Sequence, residues 1–253
     1  MSAAYDNYDY PSYWLERQYE HKSEFIAIKR LLEKINYIKT ILEVGAGFGR
    51  LVPSYSFRAK KIILTDPSAK LLSIARLNCK KTKNVIFLQS SLSNLPGKLN
   101  KNSIDLIIMV RVLHHINDVL GVFKSVNYLL KDGGYFILEF ANKSHLKATF
   151  SEIFKGNTTF PLDIFPKDVR CKKSIKNNTI PFNNFHPESI VHMLTQEGFE
   201  IVDKLSVSNI RSSLLKNFVG INTLLGLEKF LQKPLSYISF GPSIFLLVRK
   251  RGD

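Results

Sequence analysis

The sequence predicts an α/β protein built on a doubly wound, mostly parallel sheet, and three observations carry that prediction. Five short apolar runs, each the length of one strand, recur between residues 40 and 140. The stretches between them carry helix signals, so strand and helix alternate. The turn after the first run holds three alternating glycines, Gly45, Gly47 and Gly49, where such sheets bind ligands.

Residues 1–36 form the N-terminal part. It opens with Tyr5, Tyr8, Tyr10, Tyr13 and Trp14, and Pro11 can start a helix. From Ser23 to Ile35, apolar Phe25, Ile28, Leu31, Leu32 and Ile35 recur at helical spacing, an amphipathic helix. Thr40–Val44, Lys61–Thr65, Val85–Gln89, Ile104–Val110 and Tyr135–Phe140 then read as strands buried on both faces. Helices are clearest at Pro67–Lys80, with Pro67 at the favoured first position, and at Asn117–Leu130. Lys131-Asp132-Gly133-Gly134 reads as the stop between that helix and the fifth strand.

Residues 141–186 interrupt this order. They are rich in Lys, Asn, Phe and Pro, with Lys172, Lys173 and Lys176 at the centre, and read as a long lid loop. Beyond them the expected elements are a helix at Pro187–Gly198, strands at Phe199–Val207 and Ser243–Arg249, and a leucine-rich helical segment from Ser212 to Gln232. With no repeat or linker, residues 1–253 are expected to form one domain. Residues 38–140 are its core, 141–186 its lid and 187–253 the end of the sheet.

Composition excludes several classes. At 45% hydrophobic and 23% charged residues the chain is not wholly disordered. Two cysteines, Cys79 and Cys171, exclude a disulfide scaffold and predict a cytoplasmic location. The N-terminus lacks the apolar stretch of a signal peptide. Runs such as Ile104–Val110 and Ile244–Val248 fall short of the roughly 20 residues of a membrane helix. Lys and Arg number 36 against 21 acids, a net charge of +15 that attracts polyanions. Lysine outnumbers arginine, however, and specific phosphate and base contacts favour arginine, so a merely solubilising surface stays open.

The glycine turn follows a buried strand, and glycine lets a backbone approach a ligand without a Cβ in the way. The chain is expected to turn there into a helix whose first amides favour a negative group. A dinucleotide fingerprint would put its third glycine at position 50, which is Arg50, and no Gly-Lys-Ser/Thr follows. Asp66 lies twenty-one residues after Gly45, at the end of the second strand. It can accept both hydroxyls of a ribose, a role compatible with capping the helix at Pro67. A ribose is indicated; a pyrophosphate is not.

Glu43-Val44-Gly45-Ala46-Gly47-Phe48-Gly49 followed by Asp66 resembles the cofactor signature of class I S-adenosylmethionine-dependent methyltransferases. The resemblance continues through Ser103-Ile104-Asp105, Val112-Leu113-His114-His115-Ile116, Leu129-Leu130-Lys131-Asp132-Gly133-Gly134 and Glu197-Gly198-Phe199. It implies a Rossmann-like sheet of seven strands whose last, Ser243–Arg249, is antiparallel. By position, Glu43 would orient the loop, and Gly45, Ala46, Gly47, Gly49 and Arg50 would border the methionine part of S-adenosylmethionine. Asp66 would hold the ribose, Pro67 and Ser68 would border the adenine, and Val110 and Arg111 would also contact the cofactor. Many relatives carry an acid where this chain has Ser91. The resemblance implies that the Ser91 hydroxyl accepts the adenine amino group, with the Leu92 amide on the ring nitrogen.

Methyl transfer from a sulfonium needs alignment of nucleophile, methyl and sulfur above all. A hydroxyl or carbon acceptor also needs a base, which histidine supplies near neutral pH. His114, His115, Glu139 and Asn142 fall at the carboxyl ends of the fourth and fifth strands. Adjacent residues face apart, so His115 is the expected base and His114, Glu139 and Asn142 are placed toward substrate; a histidine packed under the next helix is the structural alternative. Tyr5, Tyr8, Tyr10, Tyr13 and Trp14 are expected to fold over the cofactor as a lid, with Arg17 near its carboxylate and Tyr13 and Arg17 toward substrate; a frayed terminus packing its tyrosines on the surface is the alternative. No His-x-x-x-His spacing suggests a metal. A small-molecule acceptor is expected. RNA is the alternative raised by charge, against which no Asn-Pro-Pro-Tyr or Asp-Pro-Pro-Tyr segment follows the fourth strand; a scaffold that binds cofactor without catalysis is a third reading. Leu214, Leu215, Phe218, Leu224, Leu225 and Leu227 offer either a peripheral membrane surface or packing beneath the last strand.

Overall fold

The computed structural model describes residues 9–176, 179–210 and 218–252. Tyr5, Tyr8, Leu214 and Leu215 lie outside them.

Seven strands form one sheet: β1 (Thr40–Val44), β2 (Lys61–Asp66), β3 (Val85–Gln89), β4 (Ile104–Met109), β5 (Leu130–Ala141), β8 (Phe199–Val207) and β9 (Ser243–Lys250). Their order is β3-β2-β1-β4-β5-β9-β8. The pairs from β3 to β5 are parallel, and β9 runs antiparallel to both β5 and β8. This is the Rossmann-like sheet expected, its last strand reversed. Strand order turns back between β1 and β4, and a crevice opens at such a switch point beyond the carboxyl ends.

Alternation along β1 explains the two layers. Leu42 and Val44 enter one apolar cluster with Val122, Phe123 and Val126 of α4 (Val119–Leu129), whereas Ile41 joins Ala27, Ile28 and Leu31 of α2 (Gln18–Leu32) on the other face. Among the described residues no helix is long and apolar enough to cross a membrane.

Five expectations are corrected. No α-helix follows the glycine turn; two 3-10 turns, Val52–Ser54 and Ser56–Arg58, take its place. Pro53 lacks an amide hydrogen and would clash with the Gly49 carbonyl in an α-helix. The next helix, α3, is Ala69–Asn78, capped by Ser68 Oγ accepting from Leu71 N at 3.1 Å, so Pro67 and Asp66 precede it. α4 runs directly into β5, and Gly133 and Gly134 lie within that strand. There the register steps from Ile104–Leu130 to Leu106–Tyr135, an irregularity that Gly133 accommodates at φ 72°.

The lid is not a bare loop. It contains α5 (Leu146–Phe154), α6 (Lys172–Lys176) and a two-stranded pair, β6 (Lys167–Asp168) with β7 (Asn183–Asn184). Its return docks on the sheet through Phe185 N to Ala141 O at 2.8 Å. After α7 (Pro187–Gln196), the leucine-rich helix α8 (Ile221–Leu231) packs on α2 rather than beneath β9. Arg30 donates to Lys229 O at 3.1 Å and Gln232 to Ser23 O at 3.0 Å. Leu224 is buried and Leu227 remains exposed.

Candidate active site

A cavity of about 240 Å³ sits beyond the carboxyl ends of β1, β2, β3 and β4. Its floor is the glycine turn. A Cβ on Gly45 would stand 2.3 Å from Val112 Cγ2, so the exit of β4 packs directly on the turn; Gly45 holds φ 69°, which favours glycine. A Cβ on Gly47 would meet only the Tyr10 ring, at 3.5 Å. Asp66 tethers this floor. Its Oδ2 accepts from Gly47 N at 2.9 Å and its Oδ1 from Ser68 N at 2.8 Å.

One side is formed by Arg111 to Ile116. Arg111 adopts φ 62°, held because its amide donates to Glu139 Oε2 at 2.7 Å. Its guanidinium meets Glu24 Oε1 at 2.8 Å, and Arg50 meets Glu24 Oε2 at 2.6 Å. Two arginines thus clasp one fully buried carboxylate. Burial alone would raise the Glu24 pKa, but Arg50 and Arg111 overcome this and hold it below the ordinary value. Trp14 stacks over Arg50 at 3.6 Å and closes this network from above.

His115 completes the wall with Ile116 and Ile180. Its Nδ1 lies 2.7 Å from Pro181 O. A carbonyl only accepts, so Nδ1 carries the proton and Nε2 is the basic nitrogen. His114 is buried, its ring 4.4 Å from Phe182 and its Nδ1 without a hydrogen-bond partner among the described residues. Burial lowers the pKa of both histidines, and for His114 the neighbouring His115 and Arg111 lower it further.

Residues 42–138, from within β1 to within β5, match the family model described as a methyltransferase domain. The match encloses the glycine turn, Asp66 and the His114–His115 segment. Over residues 42–138 the chain is similar to a methyltransferase domain. A ubiquinone biosynthesis O-methyltransferase of Vibrio cholerae is 27% identical over 142 residues, covering 54% of this chain and 58% of that protein. The chain therefore spans little more than half the length of these curated relatives. Two solved structures share the fold. One is a methyltransferase of Thermotoga maritima titled a possible histamine N-methyltransferase (TM-score 0.60, 20% identity, 98% and 99% coverage). The other is an S-adenosylmethionine-dependent methyltransferase of Mesorhizobium loti (TM-score 0.59, 17% identity, 90% and 98% coverage).

Within the matched region, the cavity is lined by Gly45, Gly47, Asp66, Pro67, Ser91, Leu92, Arg111 and His115 among the residues singled out in sequence. Ser91 Oγ lies 3.0 Å from Ser93 Oγ. Ala46, Gly49 and Val110 are buried behind the wall, and Ser68 is occupied as the α3 cap. Others point elsewhere. Arg50 is turned to Glu24. Glu139 is buried, bonded by the Arg111 amide and, at 2.5 Å, by the Ser243 hydroxyl. Asn142 donates to Ser239 O and Gly241 O at 2.6 and 2.8 Å. Both are fully engaged in holding the chain rather than facing the cavity. Tyr13 and Arg17 stack on one another at 4.2 Å, and it is Tyr10, one helical turn earlier, that lines the cavity. Sequence reasoning missed Glu24, Ser90 and Ile180. Only Glu24 left a trace, as an acid one turn before Ile28 and two before Leu31 on the buried face of α2.

Glu43 is buried at the end of β1 and accepts from the Tyr55 hydroxyl. Burial pushes its pKa up to about 7 despite that hydrogen bond. A carboxyl raised in the folded state binds its proton more tightly there than when unfolded. Its contribution to stability is complete below the ordinary 4.5 and is lost as pH rises through about 7. Glu43→Gln keeps an acceptor for Tyr55 and titrates nowhere. We expect its melting temperature to lose the parent's decline between pH 5 and 8; an unchanged decline in a pH series of thermal melts refutes this assignment.

Proposed function

We propose that the chain is a cytoplasmic S-adenosylmethionine-dependent methyltransferase acting on a small-molecule acceptor, with 141–186 covering the acceptor side of a single domain. The observation that carries this reading is Asp66. It is a buried carboxylate at the end of β2 that pins the amide of Gly47 into the floor of a cavity at the switch point. A buried carboxylate at this position is the acceptor type that ribose hydroxyls donate to. The Leu71, Leu92 and Ile116 side chains suit a purine face, and Ser91 suits its edge. When bound, S-adenosylmethionine supplies the electrophilic methyl.

The chain's own residues bind, orient and deprotonate. Tyr10 and Ile180 exclude water from above, and His115 Nε2 accepts the proton of an acceptor hydroxyl or amine. The O-methyltransferase names of the curated relatives favour oxygen. Because burial lowers the His115 pKa, the base is neutral and active throughout the neutral range.

Calorimetry with S-adenosylhomocysteine, then transfer of labelled methyl to fractionated extract, tests the reading; label in RNA rather than small metabolites defeats the acceptor class. His115→Gln is expected to lower kcat by roughly 10²–10⁴-fold with S-adenosylhomocysteine affinity unchanged. The acid limb of the parent's pH–rate profile should lie below the ordinary histidine value of 6.5. A His115→Gln enzyme with parental kcat removes the base.

A further inference from the structure

The insertion leaves an apolar surface uncovered. On α5, Leu146, Phe150, Ile153 and Phe154 follow one another at i, i+4, i+7 and i+8, a single stripe. They are 38 to 86% exposed. Beside them the turn at 160–165 presents Leu162, Ile164 and Phe165, 52 to 79% exposed.

This exposure is held in place. Lys143, itself buried, donates from Nζ to Asp163 O at 2.8 Å and Phe165 O at 2.7 Å and pairs with Asp163 Oδ2 at 2.6 Å. Lys167 then bridges to Glu152 of α5 at 3.3 Å. The turn and the helix are therefore one rigid patch whose backbone is anchored from below while its aromatic tips point outward.

Charge selects the partner. Segment 141–186 carries eight Lys and Arg against three acids, Glu152, Asp163 and Asp168. Each acid is already ion-paired within the segment. Among the described residues Lys147, Lys172, Lys173 and Lys176 have no such pair. Protein interfaces are depleted in lysine at their core. Exposed aromatic tips on an insertion that carries uncompensated lysines instead match a headgroup layer of negative charge over hydrocarbon.

We propose that α5, the 160–165 turn and the flanking lysines dock the protein on an anionic lipid bilayer. The same insertion returns through Ile180 at the cavity and Pro181 at the His115 ring, so docking sets the acceptor entrance near the membrane surface. In that further step, which rests on the methyltransferase reading, the acceptor is a molecule with a long apolar tail.

Flotation of the full chain with vesicles tests the docking, using phosphatidylcholine alone or mixed with phosphatidylserine, at low and high salt. Binding is expected only to the mixed vesicles and to fade with salt. Phe154→Asp with Phe165→Asp is expected to weaken it at least tenfold, and Lys172→Glu with Lys173→Glu on the order of a hundredfold. S-adenosylhomocysteine affinity should be unchanged in both variants, showing that they fold. No binding to mixed vesicles, or binding indifferent to either pair, overturns the proposal. So does a dimer that Phe154→Asp dissolves while vesicles are ignored. Vesicle binding needs neither cofactor nor transfer, so its failure and failure of the methyltransferase reading are separable.

Discussion

Asp66→Ala is expected to weaken S-adenosylhomocysteine binding at least a hundredfold. Two losses add. The carboxylate is the charged acceptor for ribose hydroxyls, and charge-assisted hydrogen bonds contribute about 1.5–3 kcal/mol each. It is also the tether of Gly47 N and Ser68 N, at 2.9 and 2.8 Å, which the alanine leaves without their acceptor. A ligand analogue lacking both ribose hydroxyls separates the losses. If Asp66 holds the ribose as well as the loop, the analogue binds the parent weakly and loses less in Asp66→Ala than the hydroxyl-bearing ligand does. If Asp66 only shapes the loop, both ligands lose equally. Calorimetry reads all four affinities, and a hydroxyl-bearing ligand that binds Asp66→Ala within threefold of the parent removes Asp66 from the site.

The contrast between Asp66 and Glu139 explains what could be read from sequence. The sheet was legible because burial on both faces makes β1 and β4 nearly continuous apolar runs, and because three glycines and a following acid mark the turn at the switch point. Asp66 sits within that local pattern. Glu139 and Asn142 also lie at a strand's carboxyl end, yet their roles are set by partners from distant segments. Ser243 lies 104 residues from Glu139, and Ser239 lies 97 from Asn142. No local spacing encodes such partners. The same holds for Arg50. Its position beside the glycine turn suggested a cofactor contact, but α2 brings Glu24 to it from the other face. The missing α-helix after the turn was legible in principle, since Pro53 stands where the second turn of that helix would begin.

Glu24→Gln should cost the fold about 3–5 kcal/mol, because it leaves two arginines facing each other across a buried space without their shared anion. In a chain of 253 residues each kcal/mol moves the melting temperature by about 2–4 °C, so a fall on the order of 10 °C is expected. The sign of the pH dependence follows from the lowered pKa of Glu24. Its contribution is present above the ordinary 4.5 and is lost as pH falls through the lower folded value. Glu24→Gln should therefore differ most from the parent near neutrality and converge with it in acid. Removing all three charges, as Glu24→Leu with Arg50→Met and Arg111→Met, should recover much of the lost stability, since apolar groups replace a buried ion network at little cost. Arg111 lines the cavity and Arg50 supports Trp14 above it, so the recovered protein should still bind S-adenosylhomocysteine poorly. A triple variant that is both stable and fully competent for the ligand would reduce the arginine clasp to packing. The opposite pair of results makes it a device that holds a cation at the methyl-transfer site at the expense of a simpler core.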